Sequence, residues 1–190
     1  MTRPRPGLAS RLMLRNATCY LRRLEASDLG RTLAWINQPE ISAAIGLQAP
    51  ITETEQARWF DQTDRASDKI VFAICLCGSD EHVGNASLGL IDHRHRNARL
   101  SIFIADRAHR GRGIGSSAID LLLGYAFNVL KLHRVYLKTD AEAEALSRFY
   151  RKLGFVPEGR LREQEFLDGR FVDKALFGIL ESEWRKRQDR

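Results

Sequence analysis

The chain has 190 residues, 44% hydrophobic and 28% charged, with a formal net charge of +6. That length suits one domain able to bury about 70% of its unfolded surface without staples, and no run of eighteen apolar residues exists to span a bilayer. The positive balance suits an anionic ligand or nucleic acid, but much of it lies at the ends, Arg3 to Arg15 and Arg185 to Arg190, and no base-stacking aromatic-basic alternation accompanies it, which sets nucleic acid aside.

Residues 1–15 are basic, are broken by Pro4 and Pro6, and lack the apolar core of a signal peptide. They read as a flexible leader before one domain over 16–190. Cys19 to Leu24 reads as a strand, and Ser27 or Asp28 as the cap of a helix reaching about Trp35. Pro39 suits the first turn of a second short helix. Thr52 and Glu55 form a capping box for a third, ending near Asp64, whose apolar stripe is Ala57, Trp59 and Phe60. Ile70 to Cys77 and Val83 to Ile91 read as strands joined through Gly78-Ser79-Asp80-Glu81, a hairpin by its turn chemistry. Cys19, Cys75 and Cys77 match no zinc or redox spacing, so no metal is expected and a reducing cytoplasm is the expected setting. Asp92, His93 and His95 form a polar turn, again without metal-ligand spacing.

The most informative stretch follows: His109-Arg110-Gly111-Arg112-Gly113-Ile114-Gly115-Ser116-Ser117. Before it, Leu100, Ile102 and Ile104 form one face of a strand. After it, Ile119, Leu122, Leu123 and Ala126 form the buried stripe of a helix over Ala118 to Leu130. Glycines let the backbone approach a ligand closely, and the first amides of a helix lack intrahelical partners, so such a turn suits a phosphate or pyrophosphate. No lysine stands where a P-loop needs one, and Gly-x-Gly-x-Gly lacks the spacing of the dinucleotide fingerprint.

From Arg134 the chain reads as another strand, then as a helix from about Glu142 to Leu153, stopped by Gly154. Phe155 and Val156 open the next strand. A hairpin around Asp168-Gly169 and a short helix carrying Trp184 close the chain. The layout is α/β, with one central, mostly antiparallel sheet flanked by helices.

Two landmarks in this order, Arg110, Gly113 and Gly115 as Arg-x-x-Gly-x-Gly and then Tyr150, Gly154 and Phe155 as Tyr-x-x-x-Gly-Phe, resemble the GNAT N-acetyltransferases. The likeness runs from about Tyr20 to Trp184. It is closest to the branch with ribosomal-protein N-terminal, spermidine and nucleotide-sugar acetyltransferases, through Tyr20 to Leu24 with Asp28, Trp35 to Glu40, Gly124 to Phe127, Leu132 to Val135, Glu158 to Glu163 and Asp168 to Asp173.

The resemblance implies acetyl-CoA as co-substrate and acetyl transfer to a primary amine, with a non-catalytic acyl-CoA-binding module as the alternative. It places the pantetheine against the backbone around Ile102 and Ile104. It places the pyrophosphate on Arg110, Gly111, Arg112, Gly113, Ile114, Gly115 and Ser116. It makes Tyr150 the general acid that protonates the departing thiolate. It is also compatible with a homodimer through sheet edges or the C-terminal hairpin. Two positions depart from the family: Arg99 stands where a carboxylate base is usual, and Ala143 where an asparagine is usual. At pH 7 an α-amine is roughly a tenth neutral, whereas a lysine-like amine is neutral about once in a few thousand. A site without a base therefore suits an amino sugar on a nucleotide carrier, or a peptide N-terminus, better than a polyamine. A peptide acceptor implies an open groove between Pro39–Pro50 and Glu163–Phe171.

Overall fold

The computed structural model describes residues 13–47, 50–167 and 169–188. One eight-stranded sheet runs through them in the order β1-β2-β3-β4-β5-β6-β8-β7. The strands are β1 (Met13–Arg15), β2 (Cys19–Arg23), β3 (Ile70–Leu76), β4 (His82–Asp92), β5 (Asn97–Ile104), β6 (Arg134–Asp140), β7 (Val156–Leu167) and β8 (Arg170–Leu180). Every pairing is antiparallel except β5 with β6. The helices are α1 (Leu29–Ile36), α2 (Pro39–Ile45), α3 (Glu53–Arg65), α4 (Ile114–Gly124), α5 (Glu144–Lys152) and α6 (Glu181–Gln188). No helix among the described residues is long and apolar enough to cross a membrane.

The period-2 pattern of β3 explains how the layers form. Ile70, Phe72 and Ile74 point into the main core, which α4 covers with Ala118, Ile119 and Leu122. Val71, Ala73 and Cys75 point the other way, against Leu29 of α1 and Trp59 and Phe60 of α3. A strand buried on both faces reads as a continuous apolar run, as this one does.

Four expectations need correction. The leader does not extend to residue 15: Met13–Arg15 pairs antiparallel with Tyr20–Arg22 at the sheet edge, and residues 1–12 lie outside those described. The stripe of α3 is displaced, with Ala57 exposed while the polar Gln56 and Thr63 turn inward beside Trp59 and Phe60. The helix after the glycine loop starts four residues earlier, at Ile114, and its end widens into a π-turn over Tyr125–Val129. Asp28 is not a simple cap; its carboxylate takes two bonds from Arg22, at 2.6 and 2.7 Å, and one from the Glu25 amide. Burial pushes that carboxyl up, but Arg22, Glu25 and His82 together hold it below its ordinary value. Of the closing turn, Asp168 lies outside the described residues, and Gly169 takes a φ of +79°.

Candidate active site

The parallel pair β5–β6 holds register only over Asn97↔Arg134, Ala98↔Val135 and Arg99↔Tyr136. From Leu100 onward the two strands part. A cavity of about 640 Å³ fills the wedge between Leu100–Ile104 and Leu137–Thr139, with α5, α2 and the glycine loop as its other walls.

At one end stands the start of α4. Gly113 caps it at φ +80°, a left-handed conformation that a side chain disfavours, and Gly111 sits at +73°. The first intrahelical bond runs from the Ser117 amide to the Gly113 carbonyl. The amides of Ile114, Gly115 and Ser116 therefore have no acceptor within the helix, and no side chain caps them. Together with the helix dipole they make a seat for an anion. The Ser116 hydroxyl donates to the Gly113 carbonyl at 2.8 Å, which holds the turn closed.

Of the expected ligand-binding positions, Ile102, Ile104, Arg110, Gly111, Gly113, Gly115 and Ser116 line this cavity, and Arg112 and Ile114 do not. Ile114 is 4% exposed and its side chain belongs to the core, so only its backbone can serve. Arg112 projects to solvent. Arg110 is committed within the loop: it donates to the carbonyls of Ile104 at 3.1 Å and Ala105 at 3.2 Å and pairs with Glu40. Arg107 also pairs with Glu40, at 2.9 Å, so one carboxylate of α2 ties that helix to the loop.

Tyr150 lines the opposite wall. Its ring packs against Phe149, Phe155 and Phe177, with centroids 5.2, 5.8 and 6.0 Å away. The helix end fixes it further. The Phe155 amide donates to the Tyr150 carbonyl and the Gly154 amide to that of Arg151, a Schellman closure that needs the φ of +87° at Gly154. Burial alone pushes the phenol up to about 12. Ala143 is the N-cap of α5 and offers no side-chain bond.

A second cavity, of about 420 Å³, opens on the opposite face of β5 and meets the first at Ser101 and Phe103. Ile36, Ile51, Trp59, Val71 and Phe103 give it apolar walls, while Thr32, Gln56, Asn85 and Ser87 add polar groups and Lys69 and Arg99 charge. Its one carboxylate, Glu55, is engaged by the Thr52 amide and hydroxyl at 2.8 and 2.7 Å. The cavity was not foreseen: its residues come from three helices, three strands and the segments between them, and only the tertiary fold brings them together. Asp92, His93 and His95 line neither cavity. Asp92 instead accepts the Arg94 and His95 amides at 2.9 and 2.8 Å and closes its own turn. No group of three metal-ligating side chains occurs among the described residues.

With this geometry in hand, the similarities to known proteins fall into place. The family model of the acetyltransferase (GNAT) domain matches residues 19–156. A spermidine N(1)-acetyltransferase of Vibrio cholerae is 36% identical over 107 residues, 56% of this chain and 61% of its own. The uncharacterized N-acetyltransferase p20 of Bacillus licheniformis is 28% identical over 170 residues, covering 86% of this chain and 93% of its own. Among solved structures, the Vibrio cholerae spermidine N-acetyltransferase in complex with CoA and spermine matches with a TM-score of 0.84 at 28% identity, over 90% of this chain and 99% of that one.

Proposed function

The chain belongs to the GNAT acetyltransferases, and on that premise we propose that it transfers the acetyl group of acetyl-CoA to a weakly basic primary amine, carried by an amino sugar on a nucleotide or by a peptide N-terminus. The observation that carries the reading is the parting of β5 from β6 after Arg99, with unpartnered helix-start amides at one end and Tyr150 on the wall. The amides from Gly111 to Ser116 would hold the pyrophosphate. The backbone around Ile102 would pair with the pantetheine; the Ile104 carbonyl already accepts from Arg110.

The chemistry needs few parts. The neutral amine attacks the thioester carbon, the C–N bond forms, and the C–S bond breaks as the tetrahedral oxyanion collapses. The amine gives up one proton and the thiolate gains one. A phenol at about 12 stays protonated at neutral pH. Outright transfer from it to a thiolate near 8.5 is uphill by roughly 5 kcal/mol. Tyr150 therefore acts as a hydrogen-bond donor to the leaving sulfur, and the proton released by the amine closes the balance. The second cavity, which meets the first at Ser101 and Phe103, would receive the acceptor, and no free carboxylate among the described residues lines it to strip a strongly basic amine, because Glu55 is held in its cap and Arg99 stands at the head of β5.

The relatives' names suggest a polyamine acceptor. Lys69 and Arg99 in the cavity oppose a polycation. A wide peptide groove also finds little support between α2 and β7: a Cβ on Gly46 would stand 3.6 Å from the Glu165 carboxylate. This favours the amino sugar. Thiol release from acetyl-CoA, measured across UDP- and dTDP-linked amino sugars, peptides with free N-termini, spermidine and aminoglycosides, tests the proposal. Turnover of an amino sugar or a peptide is the expected result, and turnover of spermidine alone would overturn it. CoA binding with no turnover of any amine would favour a binding module.

A further inference from the structure

The register of three strands builds a feature that the transfer reaction alone does not require. Gly89 of β4 pairs with Arg99 of β5. On its other side Ile70 pairs with Leu88, which carries Lys69 alongside Gly89; a Cβ on Gly89 would lie 3.9 Å from the Lys69 Cγ. Lys69, Gly89 and Arg99 thus form one row across the floor of the acceptor cavity, two cations flanking a residue without a side chain. Strands lie about 4.8 Å apart, so the two cationic stems rise roughly 10 Å from one another with the bare glycine between them. In the next row of the same face, Val71 pairs with Ser87 and Ser87 with Ser101, which brings two hydroxyls beside the cations.

The charges in this row are not neutralised within the fold. Neither Lys69 nor Arg99 forms an ion pair among the described residues. Lys69 stands 4.7 Å over the Trp59 ring. Its ammonium is held below its ordinary value by burial first and by Arg99 second, with Asp68 acting the other way. Across the cavity Gln56 is 4% exposed, and its Nε2 is buried without an acceptor among the described residues. Half-buried Lys69 and exposed Arg99 thus line one cavity together with the Gln56 amide and two serine hydroxyls, and no carboxylate among the described residues pairs with either cation.

We infer that Lys69 and Arg99 form a specificity site for an anionic group, phosphate or carboxylate, carried by the acceptor itself. The inference rests on the acetyl-transfer reading and narrows it: the acceptor is a neutral amine on an otherwise negative molecule. A nucleotide-linked amino sugar brings its diphosphate, and a peptide would bring an acidic side chain near its N-terminus.

The test compares matched amines by thiol release. One arm sets glucosamine against its 1-phosphate and a UDP-linked amino sugar; the other sets Ala-Ala peptides against Ala-Glu peptides. The wild-type chain should favour the anionic member of one arm in kcat/KM, and that arm identifies the source of the charge. In a Lys69→Gln, Arg99→Gln variant the preference should fall roughly ten- to a hundredfold, the worth of one or two charge-assisted bonds at a partly exposed site. An independent titration of inorganic pyrophosphate, with CoA saturating so that its own pyrophosphate seat is filled, should give binding to wild type that the variant loses. Equal use of neutral and anionic amines, or pyrophosphate binding unchanged in the variant, would overturn the inference while leaving acetyl transfer intact. If no amine releases thiol, the transfer reading fails, and the titration still decides whether the anion seat exists.

Discussion

Replacing Gly115 by alanine separates what the glycine loop does for folding from what it does for the ligand. Gly115 is the second residue of α4 and has ordinary helical φ, so alanine fits the backbone. An added Cβ would meet only the Phe149 Cζ, at 3.8 Å, an ordinary van der Waals contact. Alanine in a helix is favoured over glycine by up to about 1 kcal/mol, which for a chain of this size raises Tm by roughly 2–4 °C. The same methyl enters the cavity at the place where the helix-start amides wait for a phosphate. Losing one charge-assisted bond costs about 1.5–3 kcal/mol, a ten- to roughly 150-fold weaker CoA complex. Thermal denaturation and calorimetric titration of CoA on the same preparation should therefore move in opposite directions. CoA affinity unchanged within twofold would refute the placement of the pyrophosphate on this turn, and a fall in Tm would refute the packing argument.

Other outcomes follow from the same geometry. Gly84→Ala drives a Cβ into the Phe103 carbonyl and to 3.0 Å from the Ile104 Cα, both backbone of β5. It should cost about 3 kcal/mol, seen as a Tm lower by roughly 6–12 °C, with CoA affinity falling as β5 shifts. Ala143→Ser supplies the missing N-cap of α5 and should stabilise the chain by about 1 kcal/mol in denaturant titration. The pH profile of kcat/KM should rise with the free amine and level off above about pH 8.5 for an α-amine or amino sugar. Because burial pushes the Tyr150 phenol up to about 12, that group stays protonated throughout and imposes no alkaline fall below about pH 11. A profile still climbing at pH 10 would point to a strongly basic acceptor.

What the sequence disclosed was local. The glycine turn, the helix stop at Gly154, the Thr52–Glu55 capping box and the buried stripe of Ile119, Leu122 and Leu123 are set by neighbouring residues, and each stands where the pattern put it. Patterns failed where tertiary contact overrides hydropathy. Gln56 faces inward although polar because α3 covers a cavity there, and Thr63 is buried farther along the same helix. Arg110 resembled a free phosphate ligand in the sequence, yet the turn places its guanidinium against two carbonyls of its own loop and against Glu40, 70 residues away. The second cavity was illegible for the same reason. Lys69, Gly89 and Arg99 are separated by twenty and then ten positions and become neighbours only through the pairings of β3 with β4 and of β4 with β5.

On the proposed reading, the wedge between β5 and β6 presents a thioester to an amine with Tyr150 beside the sulfur. Its most direct test is single-turnover acetyl transfer by Tyr150→Phe, with acetyl-CoA bound and the best acceptor of the amine panel. The phenol has no bond within the fold that shifts its pKa, so the variant should keep its Tm and its CoA affinity. Its rate should fall by about 10²–10³, the worth of one preorganised hydrogen-bond donor to developing negative charge. A Tyr150→Phe variant that transfers acetyl at the wild-type rate would contradict the claim.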